Sequence, residues 1–304
     1  MNFTAKDVAS LRERTGCGMM DCKKALTEAN GDMEAAIDFL REKGLAAATK
    51  KSGRIAAEGT AYAKVNAAGN VGVVIEVNAE TDFVAKNADF QAFVDACADT
   101  VLVSNPANLE ALLQCKMSGS DMTVEENVRE KILTIGENIK IRRFARYEGN
   151  IITYVHGAGR IAVMVKFDTT PDVAAKAEFV TYAKDIAMQI AAMGSLYLDR
   201  SSVPEEVVER EKKVQTEIVL AEGKPASIAE KMVVGKINKY FKDICLVDQE
   251  FVKESKTTVG EYTDRIGKEL GGAIKIVSFE RFEKGEGLEK RTDNFADEVA
   301  GMIQ

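Results

Sequence analysis

The sequence predicts an α+β chain in which a strand–turn–strand–helix unit occurs twice, preceded by short helices and interrupted by a helical hairpin. Three observations carry this. The first is an internal repeat: Glu58-Gly59 recurs as Glu148-Gly149, an offset of 90 (148 − 58). At that offset Val65, Gly69, Val73 and Ile75 meet Val155, Gly159, Val163 and Val165, and Asp82 and Lys86 meet Asp172 and Lys176 without a gap. The second is Val71-Gly-Val-Val-Ile-Glu-Val77, an apolar run rich in β-branched residues, as a buried strand requires. The third is helix punctuation, with Thr4-x-x-Asp7, Asp32 and Thr258-x-x-Glu261 each placed to cap a helix.

Taken in order, Thr4 to Gly44 reads as three short helices. Val8 and Leu11 face inward on the first, which Gly16 and Gly18 end; the second starts near Asp21 and stops near Gly31. Asp32 caps the third, with Ile37 and Leu40 on its apolar side and Gly44 as its stop. Lys50-Lys51-Ser52-Gly53-Arg54 reads as a flexible basic linker. Two strand-turn-strand units follow, as antiparallel hairpins. The helix after the first carries Phe90, Phe93, Val94 and Cys97, and the helix after the second Phe179, Tyr182, Ala183 and Ile186. Between them, Asn108–Gln114 and Thr123–Gly136 read as helices, the latter with Ile132 and Ile135 apolar. Pro204 opens a long helix with Val207, Val214, Ile218 and Ala221 near heptad spacing. Gly223-Lys224-Pro225 reverses it, and Ile228, Ala229, Met232 and Val233 begin an antiparallel return. A capped helix from Thr258, a strand from Ile274 to Phe282, a turn at Gly285-Glu286-Gly287 and an amphipathic helix from Asp293 to Ile303 complete the chain. Phe295, Val299 and Met302 share one face of that last helix. The expected division is 1–53, 54–141, 142–282 with the hairpin inserted at about 190–240, and 283–304.

Composition excludes several classes. With 304 residues, 46% apolar and 29% charged, the chain suits a soluble globular protein of two or three modules. Its net charge of −7 argues against direct nucleic-acid binding, which needs a basic face; Lys50-Lys51 and Arg142-Arg143 read as solvated faces. Five cysteines without C-x-x-C spacing and one histidine make no zinc set, and fit free thiols in a reducing cytosol. The first residues lack the apolar core of a signal peptide, and no run approaches the ~20 apolar residues of a membrane helix. A cytoplasmic protein is expected. Gly157-Ala-Gly-Arg-Ile-Ala162 fits a relaxed dinucleotide pattern, but the residues after it continue as strand rather than opening a helix. There is no phosphate-binding G-x-x-x-x-G-K-[ST] loop and no G-x-S-x-G elbow, so no enzymatic activity, cofactor or metal is expected.

The most informative stretch runs from Glu76 to Asn87, E-V-N-A-E-T-D-F-V-A-K-N. It joins a buried strand to a helix through Asp82-Phe83, an arrangement that can put a carboxylate and an aromatic ring together at the surface. The other reading is that Phe83 tucks under the strand while Asp82 caps the next turn. The second copy, Pro171-Asp172-Val173-Ala174, has no aromatic there, which favours an outward role for Phe83. Met19 and Met20 are either core or contact surface. Neighbours on a helix point about 100° apart, so both cannot centre one narrow apolar face, and methionine suits adaptable partner surfaces.

Thr81-Asp82-Phe83-Val84 resembles the T-D-F-V signature of the bacterial elongation factor Ts family, the nucleotide exchange factors of elongation factor Tu. Leu11-Arg-Glu-Arg-Thr-Gly-Cys-Gly-Met-Met-Asp-Cys-Lys-Lys-Ala-Leu26 resembles that family's second signature, and a looser likeness extends to the C-terminus. The resemblance implies a UBA-like N-terminal module, a coiled-coil insertion and a C-terminal module that docks on the partner; folding back on its own core is the alternative for the last helix. It also implies that Thr81, Asp82, Phe83 and Val84 disturb the Mg²⁺ and nucleotide site of elongation factor Tu. Arg12, Met19, Met20, His156 and Gly157 are then further partner contacts, and a homodimer of the complex stays open. A translation-associated scaffold or an RNA-binding protein is the alternative class.

Overall fold

The structure, a computed structural model, describes residues 3–222 and 225–289. The expected helix at 293–303 and the reversal at Gly223-Lys224 lie outside the described residues.

The chain opens with three helices, α1 (Ala5–Thr15), α2 (Met19–Glu28) and α3 (Met33–Lys51). Thr4 and Asp7 form the expected capping box, Gly16 closes α1 in the left-handed region, and Asp32 caps α3. Leu11, Cys22, Ala25, Leu26, Ala36 and Leu40 form their core. Gly44 does not stop α3. It faces the backbone of Arg129, 3.5 Å from where a Cβ would sit, on helix α7 (Val124–Ile135), so the helix runs on at a close crossing. Nor is 50–54 a flexible linker. Lys50 and Lys51 are the last turn of α3, the Lys51 ammonium donates to the Ile132 carbonyl at 3.2 Å, and Asn138 Nδ2 donates to the Arg54 carbonyl at 2.8 Å.

Two antiparallel sheets of three strands follow. The first has the order β1 (Glu58–Val65), β2 (Val71–Ala79), β3 (Lys140–Glu148); the second β4 (Asn150–His156), β5 (Ile161–Asp168), β6 (Lys275–Glu283). Strand β3 crosses the expected division at 141/142 and pairs with β2 along its length. Both central strands are mostly apolar because both of their faces are covered, with Glu76 and Asn78 on β2 and Lys166 and Asp168 on β5 as the polar exceptions. Val73, Ile75, Val77 and Ala79 of β2 meet α5 (Ala88–Ser104), α6 (Leu109–Gln114) and α7. Ile161, Val163, Val165 and Phe167 of β5 meet α9 (Ala177–Met193) and α12 (Val259–Leu270). The alternate residues, Val74, Ala162 and Met164, meet each other between the sheets. The result is four layers, helix, sheet, sheet, helix, fixed by the period-two alternation of side chains. Gly72 lies at the seam, where a Cβ would sit 2.4 Å from Ile151 Cγ2.

The repeat is deeper than the sequence suggested. Both sheets carry a bulge at matching places, Glu76/Val77 and Lys166/Phe167. The capping boxes Thr123–Glu126 and Thr258–Glu261 also correspond, as do the left-handed Gly136 and Gly271 that end α7 and α12. The gap-free match at Asp82 does not hold, however. The corner helices are α4 (Asp82–Ala85) and α8 (Pro171–Ala174), with N-caps Thr81 and Thr170, so the counterpart of Phe83 is Asp172. One residue is missing from the second corner.

Arg142 and Arg143 are not simply solvated. They pair at 3.0 and 2.6 Å with Glu76, whose side chain is fully buried and also accepts from Asn78 Nδ2 and from the Gly285 N–H. A carboxylate taken out of water has to be met this way by charge and hydrogen bonds.

The inserted hairpin is α10 (Glu205–Ala221) and α11 (Ala226–Ile244), shorter at its start than the expected 190 because α9 belongs to the second core. Val219 packs with Ala229, Val233 and Ile237 at one end, while Val207 and Val208 meet Tyr240 and Phe241 at the other, so the helices are antiparallel. The expected seam is off by one position: Val214 and Ile218 are exposed, and Val219 is buried.

Candidate functional site

Strand β2 delivers the chain from the core to a corner at Glu80, where α4 begins. Thr81 is its N-cap, accepting from the Val84 N–H at 3.3 Å. Val84 turns inward against the first core. Phe83 turns outward and is 80% exposed, which excludes the reading in which its ring tucks under the strand. Asp82 does not cap the turn; Lys86 donates to it at 2.6 Å, and that bond, with the charges of Lys86 and Lys284, holds its carboxyl below the usual range. In the second copy the equivalent outward position is held by exposed Asp172, while Val173 is buried like Val84 is in part. The fold therefore asks for an apolar residue beneath the corner and tolerates a carboxylate on top. An aromatic ring on top contributes nothing to either core.

Beneath the ring the corner is gripped by the turn between α7 and β3. The Glu137 carboxylate accepts from the N–H groups of Glu80 and Thr81 at 3.1 and 3.0 Å and from the Thr81 hydroxyl at 2.7 Å. The Glu80 carboxylate accepts from the Asn138 N–H at 2.6 Å. These partners were not legible in the sequence, since Glu137 offers only a polar turn residue after a helix, far along the chain from Thr81.

An open groove of about 410 Å³ separates the ring from the N-terminal helices, lined by Phe83 and Val84, by Glu130, Thr134 and Ile135 of α7, and by Gly16. The first module thus comes beside the corner. Met19 and Met20 open α2, 46% and 73% exposed, outside the module's core. Arg12 is exposed on α1. His156 ends β4 and is exposed, its Nδ1 3.0 Å from the Tyr154 hydroxyl. Gly157 follows at φ +60°, in the left-handed region that favours glycine, and the four-residue turn to β5 is a hairpin turn rather than a nucleotide loop. That turn leans on the first sheet, the Ala61 N–H donating to the Gly159 carbonyl at 2.8 Å. The Lys284 N–H donates to the Arg160 carbonyl at 2.9 Å, and its ammonium pairs with Glu58 and acts on Asp82. Through Lys284, which sequence reading missed, the Asp82 corner and the His156 hairpin share one end of the paired sheets.

The thiols stand apart. Cys17, Cys22, Cys97 and Cys245 are buried, and burial pushes Cys245 up to about 11. Among the described residues no three acidic, histidine or cysteine side chains gather as a metal set, and no helix is long and apolar enough to cross a membrane. What the corner offers is an apolar ring and a carboxylate on a short, tightly held helix.

A family model described as elongation factor TS matches residues 80–286, taking in the corner from Glu80 onward. Relatives named elongation factor Ts are similar over nearly the whole chain. That of Symbiobacterium thermophilum is 48% identical over 302 residues, 98% of this chain and 97% of its own length. Those of Syntrophotalea carbinolica and Clostridium perfringens are 47% and 49% identical, covering 100% and 99% of both partners in each comparison. The chain belongs to the elongation factor Ts family, among the elongation factors of protein biosynthesis.

Proposed function

We propose that the chain is a guanine nucleotide exchange factor acting on elongation factor Tu, and that it makes and breaks no covalent bond itself. The observation that carries this reading is Phe83: a ring 80% exposed, at the one corner where the fold has no use for it. A GTPase holds GDP through phosphate-binding amides and a Mg²⁺ bridging phosphate oxygens. An aromatic side chain entering near those groups displaces them, and Asp82 beside it adds a charge that opposes phosphate.

The remaining surfaces serve to hold the ring in place. The three N-terminal helices, read as the UBA-like module of residues 1–53, dock through Arg12, Met19 and Met20. The second sheet docks through His156 and Gly157, Thr81 and Val84 support the corner, and the hairpin is the coiled-coil insertion. The work is done in the cytoplasm, where free thiols stay reduced.

Linkage limits the mechanism. If the factor weakens GDP binding, GDP weakens the factor's binding by the same free energy, typically about 1–3 kcal/mol or roughly 5–150-fold. The test is release of labelled GDP from elongation factor Tu with and without the chain. Acceleration by the wild type, and a loss of at least about tenfold (~1.4 kcal/mol) for Phe83→Ala with the complex still forming, is the expected result. Equal exchange by Phe83→Ala refutes the ring's role. Binding to the partner that ignores added GDP points instead to a scaffold.

A further inference from the structure

Phe83 rides on a helix of four residues, too short to set its own direction through internal hydrogen bonds. Its direction comes from what grips the segment before it, and that is Glu137. One carboxylate oxygen takes the N–H groups of Glu80 and Thr81, and the other takes the Thr81 hydroxyl. A hydroxyl has a single proton; donating it to Glu137 leaves its lone pairs for the Val84 N–H, the first capped amide of α4. The same carboxylate therefore fixes the end of β2 and orients the cap of the helix that carries the ring. Glu80 answers from the other side by accepting from the Asn138 N–H, so two distant segments hold each other through charge-assisted bonds.

The second copy of the fold serves as an internal control. Gly136 and Gly271 end the equivalent helices in the left-handed region, and the next residue is Glu137 in one copy and Gly272 in the other. A Cβ on Gly272 would lie 2.9 Å from Val173 Cγ2 and 3.5 Å from Thr170 Oγ1, so the second corner closes directly on its turn with no room for a carboxylate. Thr170 makes no side-chain cap bond. Both copies have the corner, and in the second the Thr169 hydroxyl donates to the Ala273 carbonyl at 2.8 Å, but only the copy with the exposed ring has a carboxylate clamp.

We propose that Glu137 is a positioning residue that sets the direction in which Phe83 is presented, and that it acts on nucleotide release rather than on docking. This rests on the exchange reading above. The test measures labelled-GDP release from the elongation factor Tu·GDP complex over a range of concentrations of the full chain, with thermal midpoints alongside. Glu137→Ala is expected to lower the maximal release rate between about 10- and 100-fold, as misplacement of a positioned group does, while the half-saturating concentration moves less than about threefold. Glu137→Gln, which keeps an acceptor for the two N–H groups, recovers most of the rate. Combined with Phe83→Ala, Glu137→Ala adds no further loss, because both remove one step.

Wild-type rates for Glu137→Ala, a loss confined to the half-saturating concentration, or losses that multiply in the double variant each overturn the assignment. Should Glu137→Ala lower the thermal midpoint markedly, Thr81→Val, which removes the gripped hydroxyl, takes its place in the same cycle with the same expected and overturning outcomes. A wild-type chain that leaves GDP release unchanged overturns the exchange reading and Glu137 with it, whereas acceleration by the wild type with multiplying losses overturns Glu137 alone.

Discussion

Glu130 shows how a single side chain can be tuned by the groove it lines. It stands on α7 between the N-terminal helices and the Phe83 corner, and burial raises its carboxyl above the usual 4.5, with the charges of Lys131 and Arg41 opposing. The fold therefore disfavours the charged form of this side chain. Because the folded value is the raised one, its favourable contribution is present at low pH and is lost as pH rises through the folded value. Glu130→Gln removes the charge, so its thermal midpoint should exceed that of the wild type at pH 7, and the gap should close below about pH 4.5. A gap that persists at low pH would show that packing, not desolvation, is the cause. Glu76 is fully buried and met by two arginines and two N–H donors, so that it ties β2 and β3 to the turn after β6.

At the scale of elements, the hairpin is the clearest instance of a pattern legible in kind but not in phase. Its apolar residues announce two packed helices, yet heptad spacing alone places Val214 and Ile218 inside and overlooks Val219. The stripe is wide enough to admit two phases one residue apart, and only the partner helix selects between them. Val219→Ala should cost about 1–3 kcal/mol, and Val214→Ser within about 0.5 kcal/mol, read as faster amide exchange in α10 and α11 for the first variant alone. Comparable effects at both positions would restore the heptad seam. Helix α3 teaches the same lesson about glycine. Gly44 looked like a stop, but its bare Cα is used where α3 crosses α7.

At the scale of the molecule, the two subdomains share a core between their sheets, so they should lose structure together. Gly159 lies where the second sheet's hairpin turn leans on the first sheet. It sits at φ +87°, and a Cβ there would lie 1.9 Å from the buried Thr60 Oγ1. Gly159→Ala combines backbone strain with overpacking and should cost about 2–4 kcal/mol. The thermal transition should shift downward as one unit, seen alike by probes placed on either sheet. Two separated transitions would show that the seam between the sheets is not what couples them.

The sequence by itself determined what local chemistry determines. Thr4, Asp32 and Thr258 cap helices because a side-chain oxygen meets its own first turn. The apolar run from Val71 to Val77 had to be a buried strand, the repeat had to give two related α+β units, and Thr81-Asp82-Phe83-Val84 stood out from the sequence alone. The tertiary structure alone decided which way Phe83 turns, that the second corner is a residue shorter, and that Glu137 and Lys284 belong to the same end of the molecule as Thr81 and Asp82. Those are contacts between residues far apart in the chain, and no periodicity records them: a carboxylate after a helix reads the same whether it faces water or grips a distant backbone.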